Sequence, residues 1–253
     1  MTDLIHIHYR FTLPDGQLRE YRFDIDSQSL ERVGRTDAHP PEWTRLSFQQ
    51  CPHCPLTVDD HPYCPVALGL LDVVVPLGAL VSHQQIGVEA ITPDRRVVMT
   101  VSAQHAVSSV MGLAVASSAC PYTAFLKPMA RFHLPLASME ETVFRAVSTY
   151  LMAQYFRRLD GLPVDADLAG LDRIYRNLNI LNDAQARRLR LAAAAFKDAG
   201  LNALIILDTF AQIVPMILED GLVALRPSFE PFLRTPAPVA VMPSVVSDGD
   251  LSR

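Results

Sequence analysis

The sequence lacks an excess of basic residues. It has 22 lysines and arginines against 27 aspartates and glutamates, which gives a formal net charge of −5. Lysine is scarce, because only Lys127 and Lys197 occur and arginine supplies the other basic side chains. Nucleic-acid-binding proteins normally concentrate positive charge on one face, so the composition argues against a nucleic-acid partner. The arginine bias and the alanine-rich segments indicate a bacterial source.

Short motifs of common enzyme sites are also missing. We find no phosphate loop, dinucleotide fingerprint, nucleophile elbow or His-Glu-x-x-His motif. Any chemistry must therefore come from clusters of reactive side chains.

No secretory signal is evident, because the N-terminal residues MTDLIHIHYRF lack a basic segment followed by a long apolar one. The longest apolar segment, residues 201–218, contains Asp208, Gln212 and Pro215. An aspartate at the centre of a bilayer costs about 3 kcal/mol, which favours a buried helix over a membrane span. We therefore expect a cytoplasmic protein without membrane contact.

Cysteine is infrequent but concentrated. Cys51, Cys54 and Cys64 lie within fourteen residues, Cys120 follows at a distance, and each cysteine precedes a proline. In a reducing compartment, clustered cysteines indicate metal or redox chemistry more often than disulfides. The pair Cys51-x2-Cys54 can present two thiolates to one metal, and Cys64 and Cys120 can complete a tetrahedral shell.

Sulfur ligands select zinc, copper(I) or an iron–sulfur cluster. Cys-Pro occurs in zinc and cluster loops alike, whereas His53 and His61, as alternate ligands, favour zinc. Proline stiffens the backbone after each cysteine and leaves the amides two and three residues on free to bond the sulfur. Zinc and an iron–sulfur cluster both remain open as the cofactor.

Two other interpretations of the cysteines stand beside the metal site. Buried cysteines can act as small apolar side chains, which would suffice for Cys120 beside a helix of small residues. A redox pair is the second alternative, although thioredoxin-like motifs occur in βαβ units and the surroundings here predict antiparallel strands.

Several charged or polar residues could lie beside the cysteines. Lys127, Arg131 and His133 follow Cys120 closely, and their positive charge would stabilise thiolates or an anionic ligand. Alternatively they face water in a connection between helices. Asp208 on the apolar helix is expected to pair with an arginine such as Arg131 or Arg145, or to act as an acid or base in a pocket.

The expected fold is α+β. Alternating residues on both sides of two Pro-Asp turns predict two antiparallel hairpins with a helix over residues 1–103, and a short strand is expected in EWTRLSFQQ. An all-helical bundle follows over 104–225, and residues 226–253 are a flexible tail. A capping box of Ser138 and Glu141 starts one helix, and further helices are expected over 168–181, from Asn182 to Gly200, and from an N-cap at Asn202 to Glu219.

The segments WTRLSFQQCPHCPL, HPYCPVALGL, KPMARFHLP and LNALIILDTFAQIVP together resemble a bacterial family classified as a domain of unknown function. The resemblance covers about residues 4–220 and implies no activity. From the residues we expect a metal-binding protein with a sensory or scaffolding role. A metal-dependent or redox enzyme and a partner-binding module with a structural zinc are the alternatives, and a protein partner or small ligand is left open.

Overall fold

The computed structural model describes residues 3–34, 39–77, 80–192 and 198–234. Its five antiparallel strands form one sheet: β1 (Leu4–Thr12), β2 (Leu18–Asp26), β3 (Arg32–Val33), β4 (Gln85–Ile91) and β5 (Arg96–Ser102). The strand order is β3-β2-β1-β4-β5, with β1 at the centre. Both predicted hairpins are present, since β1 pairs with β2 across the first Pro-Asp turn and β4 with β5 across the second.

The alternation in β1 divides the sheet into two faces. Ile5, Ile7, Tyr9 and Phe11 are buried, and they share a core with apolar side chains of the helices that cover this face. On the other face, His6 Nδ1 lies 2.7 Å from the carboxylate of Asp24 on β2, so this histidine pairs within the hairpin.

The helices follow mainly after the sheet. They are α1 (Pro65–Leu77), α2 (Ala103–Ala116), α3 (Lys127–Arg131), α4 (Met139–Leu159), α5 (Ala169–Leu191), α6 (Asp198–Glu219) and α7 (Glu230–Leu233), with 3-10 helices at Glu42–Thr44, Pro121–Leu126 and Arg226–Phe229. The arrangement confirms the α+β class. The predicted capping box of Ser138 and Glu141 starts α4. In the described ranges no single helix is long and apolar enough to cross a membrane. The bent pair of α2 and Pro121–Arg131, with an angle of 113° between its parts, is long and apolar enough when the two are taken together.

The two helices predicted on either side of residue 182 form one continuous helix up to Leu191. The expected boundary at residue 182 is wrong, because α5 continues from Ala169 to Leu191 and buries Asn182 and Gln185 in its middle. Asn182 and Gln185 line two different cavities instead of capping a helix end. Asn202 is likewise not an N-cap, because α6 already begins at Asp198.

The prediction of a short strand in EWTRLSFQQ is also wrong. The segment forms a 3-10 helix and turns, with an isolated bridge between Arg45 and Tyr63. Its carbonyl groups are used by a side chain of α5, described below, and are therefore not available to a strand partner. Of the expected tail, residues 226–233 are helical and residues 235–253 lie outside the described ranges.

A chain of hydrogen bonds joins the sheet to the helices. Tyr9 Oη on β1 lies 2.5 Å from His133 Nε2 and 2.9 Å from Ser109 Oγ on α2, and Ser109 Oγ accepts the amide of Leu136 at 3.0 Å. Burial, with a smaller contribution from the charge of Arg145, lowers the pKa of His133 to about 3. The imidazole is therefore neutral at neutral pH, and its Nε2 can accept the tyrosine proton.

This histidine makes folding sensitive to acid. Its pKa is lower in the folded protein than the usual 6.5, so the unfolded chain binds the proton more strongly, and the stability from this group is lost as pH falls from about 6.5 towards 3. We expect His133→Gln to reduce the difference in unfolding free energy between pH 7 and pH 5 by about 1 to 2 kcal/mol, measured by urea denaturation. His83→Gln, at an exposed histidine, is the control and should keep the full difference. An unchanged pH difference in His133→Gln would contradict the assignment.

Candidate metal centre

All four cysteines line one small cavity. Cys51 and Cys54 lie in the loop before α1, Cys64 directly precedes α1, and Cys120 directly precedes the 3-10 helix Pro121–Leu126. The other lining residues are mainly apolar: Leu46, Leu56, Pro65, Val66, Tyr122, Leu181 and Gln185. Cys64 and Cys120 are buried, Cys51 and Cys54 are partly buried, and all four are free thiols. The fold thus brings together cysteines from two separate segments of the chain.

Backbone hydrogen bonds fix the loop that carries three of them. The amide of Cys54 donates to the carbonyl of Cys51 at 3.0 Å, which closes a turn between the two. The amide of Cys64 donates to the carbonyl of Thr44 at 2.8 Å, and the carbonyl of Cys64 accepts the amide of Leu68 in the first turn of α1. Each following proline has no amide that would need a partner. The cysteines therefore start from well-defined backbone positions.

Polar N–H groups lie near two of the sulfur atoms. The backbone amides of Tyr122 and Thr123, two and three residues after Cys120, lower the pKa of the Cys120 thiol, while the amide of Thr123 donates to the carbonyl of Cys120 at 3.0 Å. On α5, the side-chain Nε2 of Gln185 lies 3.6 Å from Cys64 Sγ. Such donors favour the charged thiolate over the neutral thiol. Gln185 was expected only as a helix cap, and nothing in its sequence context distinguishes it as a sulfur donor.

The cavity itself disfavours ionisation. Burial, with smaller contributions from the neighbouring thiols of Cys64, Cys54 and Cys120, raises the pKa of Cys51 to about 12, while Arg188 acts in the opposite direction. Burial also raises the pKa of Cys120 to about 11, against the effect of its two amide donors. Without a bound cation, the thiols of Cys51 and Cys120 are therefore protonated at neutral pH.

Arg188 is the main residue that the sequence did not predict. It is 1% exposed, and its guanidinium donates to the carbonyls of Trp43 at 2.8 Å, Arg45 at 2.6 Å and Leu46 at 3.0 Å. Its Nε is buried and has no hydrogen-bond partner in the structure. Within the described ranges no carboxylate lies at ion-pair distance from it, as the fourteen ion pairs there do not include Arg188.

The charge of Arg188 interacts with the cysteines instead. Burial lowers the pKa of Arg188, and interaction with Cys64, Cys51 and Cys54 opposes this shift. Burying a cation without a carboxylate costs on the order of several kcal/mol of folding free energy, because its hydration is lost, unless another negative charge lies nearby. Thiolates would provide that charge.

His53 lies beside the cavity but faces away from it. Its ring stacks on Tyr122 at a centroid distance of 4.0 Å, and its Nε2 lies 3.2 Å from the carbonyl of Asn177. Its Nδ1 is buried without a partner. His61, the other predicted alternate ligand, is exposed at the loop surface. Neither histidine lines the cysteine cavity.

The other predicted neighbours lie elsewhere. Lys127 pairs with Glu31 at 2.6 Å, Arg131 is exposed beside the ring of Phe132, and His133 binds Tyr9. None of the three lines the cysteine cavity. Their position shortly after Cys120 in sequence does not bring them near it, because the 3-10 helix and α3 carry the chain away.

The prediction that Asp208 pairs with Arg131 or Arg145 is wrong. Asp208 instead accepts a hydrogen bond from Gln212 Nε2 at 2.6 Å, one turn further along α6. Arg145 donates to the carbonyls of Met129 at 2.8 Å and Phe132 at 3.2 Å. Asp208 is only partly buried, so it can keep contact with water and does not require a buried cation. Burial and the nearby Asp183 raise its pKa.

The four thiols do not form a closed ligand shell in this conformation. Over residues 3–34, 39–77, 80–192 and 198–234, no group of three or more histidine, cysteine, aspartate or glutamate side chains has the arrangement of a metal site. The donor set nevertheless fits a soft metal, because it consists of four sulfur atoms around one cavity.

Comparison with known proteins places the chain in a family. Neither a curated protein nor a solved structure matched it. One family model matched residues 7–230, which confirms the resemblance at the level of the family and leaves the proposed signature motif as a prediction. The chain belongs to the family described as Domain of unknown function (DUF6901).

Proposed function

We propose that the protein binds a metal through Cys51, Cys54, Cys64 and Cys120, as zinc or an iron–sulfur cluster. The observation that carries the proposal is that all four cysteines of the chain, from two separate segments, line one cavity. Four cysteines used as ordinary apolar side chains would have no reason to meet at one point. Their free state fits a reducing compartment, and we place the protein in the cytoplasm.

The surroundings of the cavity favour an anionic metal centre. A divalent ion with four thiolates carries two net negative charges, and Arg188 supplies a buried positive charge on the α5 side. The backbone amides of Tyr122 and Thr123 lower the pKa of the Cys120 thiol, and the side-chain amide of Gln185 donates a hydrogen bond to Cys64 Sγ. Groups of this kind orient metal ligands and tune their charge.

The proposed role is scaffolding or sensing. Bound zinc would cross-link the loop before α1 to the segment that follows α2, and a cluster would add the capacity to carry an electron. The enzyme alternative relied on Arg131, His133 and Asp208 beside the metal, and none of these residues lines the cysteine cavity. The geometry therefore supports the scaffolding or sensing role better than catalysis at this site.

Metal content tests the proposal directly. We expect protein purified anaerobically with reductant to contain either about one zinc per chain and no colour, or iron and sulfide with absorption near 400 nm. Changing any of the four cysteines to serine should reduce bound metal at least about 10-fold, because three thiolates and a hydroxyl bind soft metals less tightly. Metal analysis and the absorption spectrum provide the measurement.

His61→Ala is the matched control, since His61 is an exposed potential ligand of the same loop. It should retain full metal content. A Cys120→Ser protein with unchanged metal would show that the shell does not include Cys120, and a parent protein that neither contains nor takes up metal would refute the proposal.

Arg188 should matter to both stability and metal affinity. Arg188→Gln removes donors from three buried carbonyls, so we expect unfolding of the metal-free protein to become easier by about 2 to 4 kcal/mol. Loss of the positive charge should also weaken metal binding by about 10-fold, whereas Arg188→Lys should recover part of the affinity without the forked hydrogen bonds. Urea denaturation and competition with a chelator give the two readouts.

Arg187→Gln is the control, because Arg187 pairs with Asp183 on the outer side of the same helix. If Arg188→Gln binds metal as tightly as this control, then Arg188 fastens the loop but does not stabilise the metal centre.

A further inference from the structure

A second cavity lies among the helices, away from the cysteines. It has a volume of about 160 Å³ and is bounded by α2, α3, α4, α5 and α6, with the segment between α3 and α4. It shares no lining residue with the cysteine cavity. Most of its lining is apolar, including Leu113, Leu126, Met129, Leu136, Leu178 and Leu207. Its size is close to that of an engineered protein cavity of about 150 Å³ that accommodates benzene.

A guanidinium group faces this apolar space without a counter-ion. Only Nη2 of Arg145 is engaged, through its bonds to the carbonyls of Met129 and Phe132. In the described part of the chain, Nε and Nη1 make no hydrogen bond, and no carboxylate forms an ion pair with Arg145. The lining residues include no aspartate or glutamate among those that the structure describes. Among the described residues, Glu141 interacts with the charge of Arg145 from outside the lining, but no carboxylate reaches ion-pair distance from it.

Two further polar side chains in the cavity are unsatisfied. Tyr175 is 4% exposed, and its ring packs against Phe125, but its hydroxyl has no hydrogen-bond partner among the described residues. Asn182 is 6% exposed, and its side-chain amide likewise makes no hydrogen bond there. Arg145 interacts electrostatically with Tyr175, which places the two groups on the same part of the cavity. Buried polar groups normally have partners, so these side chains are available to hydrogen-bond a ligand inside the cavity.

The available groups define the ligand's chemistry. Arginine N–H, tyrosine O–H and asparagine N–H₂ are all donors, and the nearest charge is positive. Such a set suits a carboxylate, whose two oxygen atoms accept charge-assisted hydrogen bonds. The surrounding leucine and methionine side chains suit an uncharged hydrocarbon body.

We propose that this cavity binds a small apolar carboxylate, with the carboxylate at Arg145, Tyr175 and Asn182 and a ring or short chain of about six carbons in the apolar part. The proposal does not depend on the metal centre. Benzoate is the appropriate test ligand, and benzyl alcohol is its uncharged analogue of nearly the same shape.

Isothermal titration calorimetry of the full chain at pH 7.5 tests the site. We expect saturable binding of one benzoate per chain, at least about 10-fold tighter than benzyl alcohol, because a hydrogen bond to a charged group is worth a factor of ten or more. Arg145→Gln should remove this preference. Tyr175→Phe should weaken benzoate binding by about 3- to 10-fold without loss of stability, since its hydroxyl bonds no described protein group.

Arg131→Gln is the control, because Arg131 is an exposed arginine on the adjoining helix α3 and lies outside the cavity. It should bind benzoate like the parent protein. The Tyr175→Phe variant keeps the test valid even if Arg145→Gln fails to fold. Absence of saturable benzoate binding at millimolar concentration, equal affinity for benzyl alcohol, or equal effects of Tyr175→Phe and Arg131→Gln would each overturn the proposal.

Discussion

The guanidinium of Arg188 holds the segment before the cysteine loop against α5, because it donates hydrogen bonds to the carbonyls of Trp43, Arg45 and Leu46. In the same segment, the carbonyl of Thr44 accepts a hydrogen bond from the amide of Cys64, so the position of the segment determines where that cysteine lies. Without these bonds, three buried carbonyls and a buried charge would each lack a partner, at a cost of about 1 to 3 kcal/mol per carbonyl. The cysteine cavity thus depends on a side chain more than a hundred residues from the loop it organises.

The cost of burying this arginine gives the cavity its electrostatic character. With neutral thiols, the cation is compensated only by backbone dipoles and retains an unpartnered Nε. With thiolates around a metal, negative and positive charge would lie together, and both desolvation penalties would be offset by their attraction. Raised thiol pKa values and a buried cation without a carboxylate at ion-pair distance would therefore both be relieved if the proposed metal bound to the thiolates.

Local signals in the sequence predicted part of this structure well. The two Pro-Asp turns, the alternation of Ile5 to Phe11 and the Ser138 capping box depend on neighbouring residues, and all three are present. Sequence also indicated that the four cysteines are a group, although only the fold shows that Cys120 reaches the cavity of the other three. Arg188 could not be identified, since it follows Arg187 in a helix with many exposed arginines and only tertiary packing separates their roles. For the same reason the sequence predicted a helix boundary at Asn182. This polar residue lies in the middle of α5 and lines a cavity, and it does not cap a helix.

Helix α5 places the two cavities on adjacent faces of one element. The face of α5 towards the cysteines carries Leu181, Gln185 and Arg188, spaced by four and three residues. The face towards the second cavity carries Tyr175, Leu178 and Asn182, spaced by three and four residues. The faces meet between Leu181 and Asn182, consecutive residues of one continuous helix. Any displacement of α5 on filling one cavity must therefore change the shape of the other. By thermodynamic linkage, such coupling would act equally in both directions, so a carboxylate that altered metal affinity would have its own affinity altered by the same factor. A helix that had ended at residue 182, as its sequence suggested, would have separated the two faces at the point where they now join.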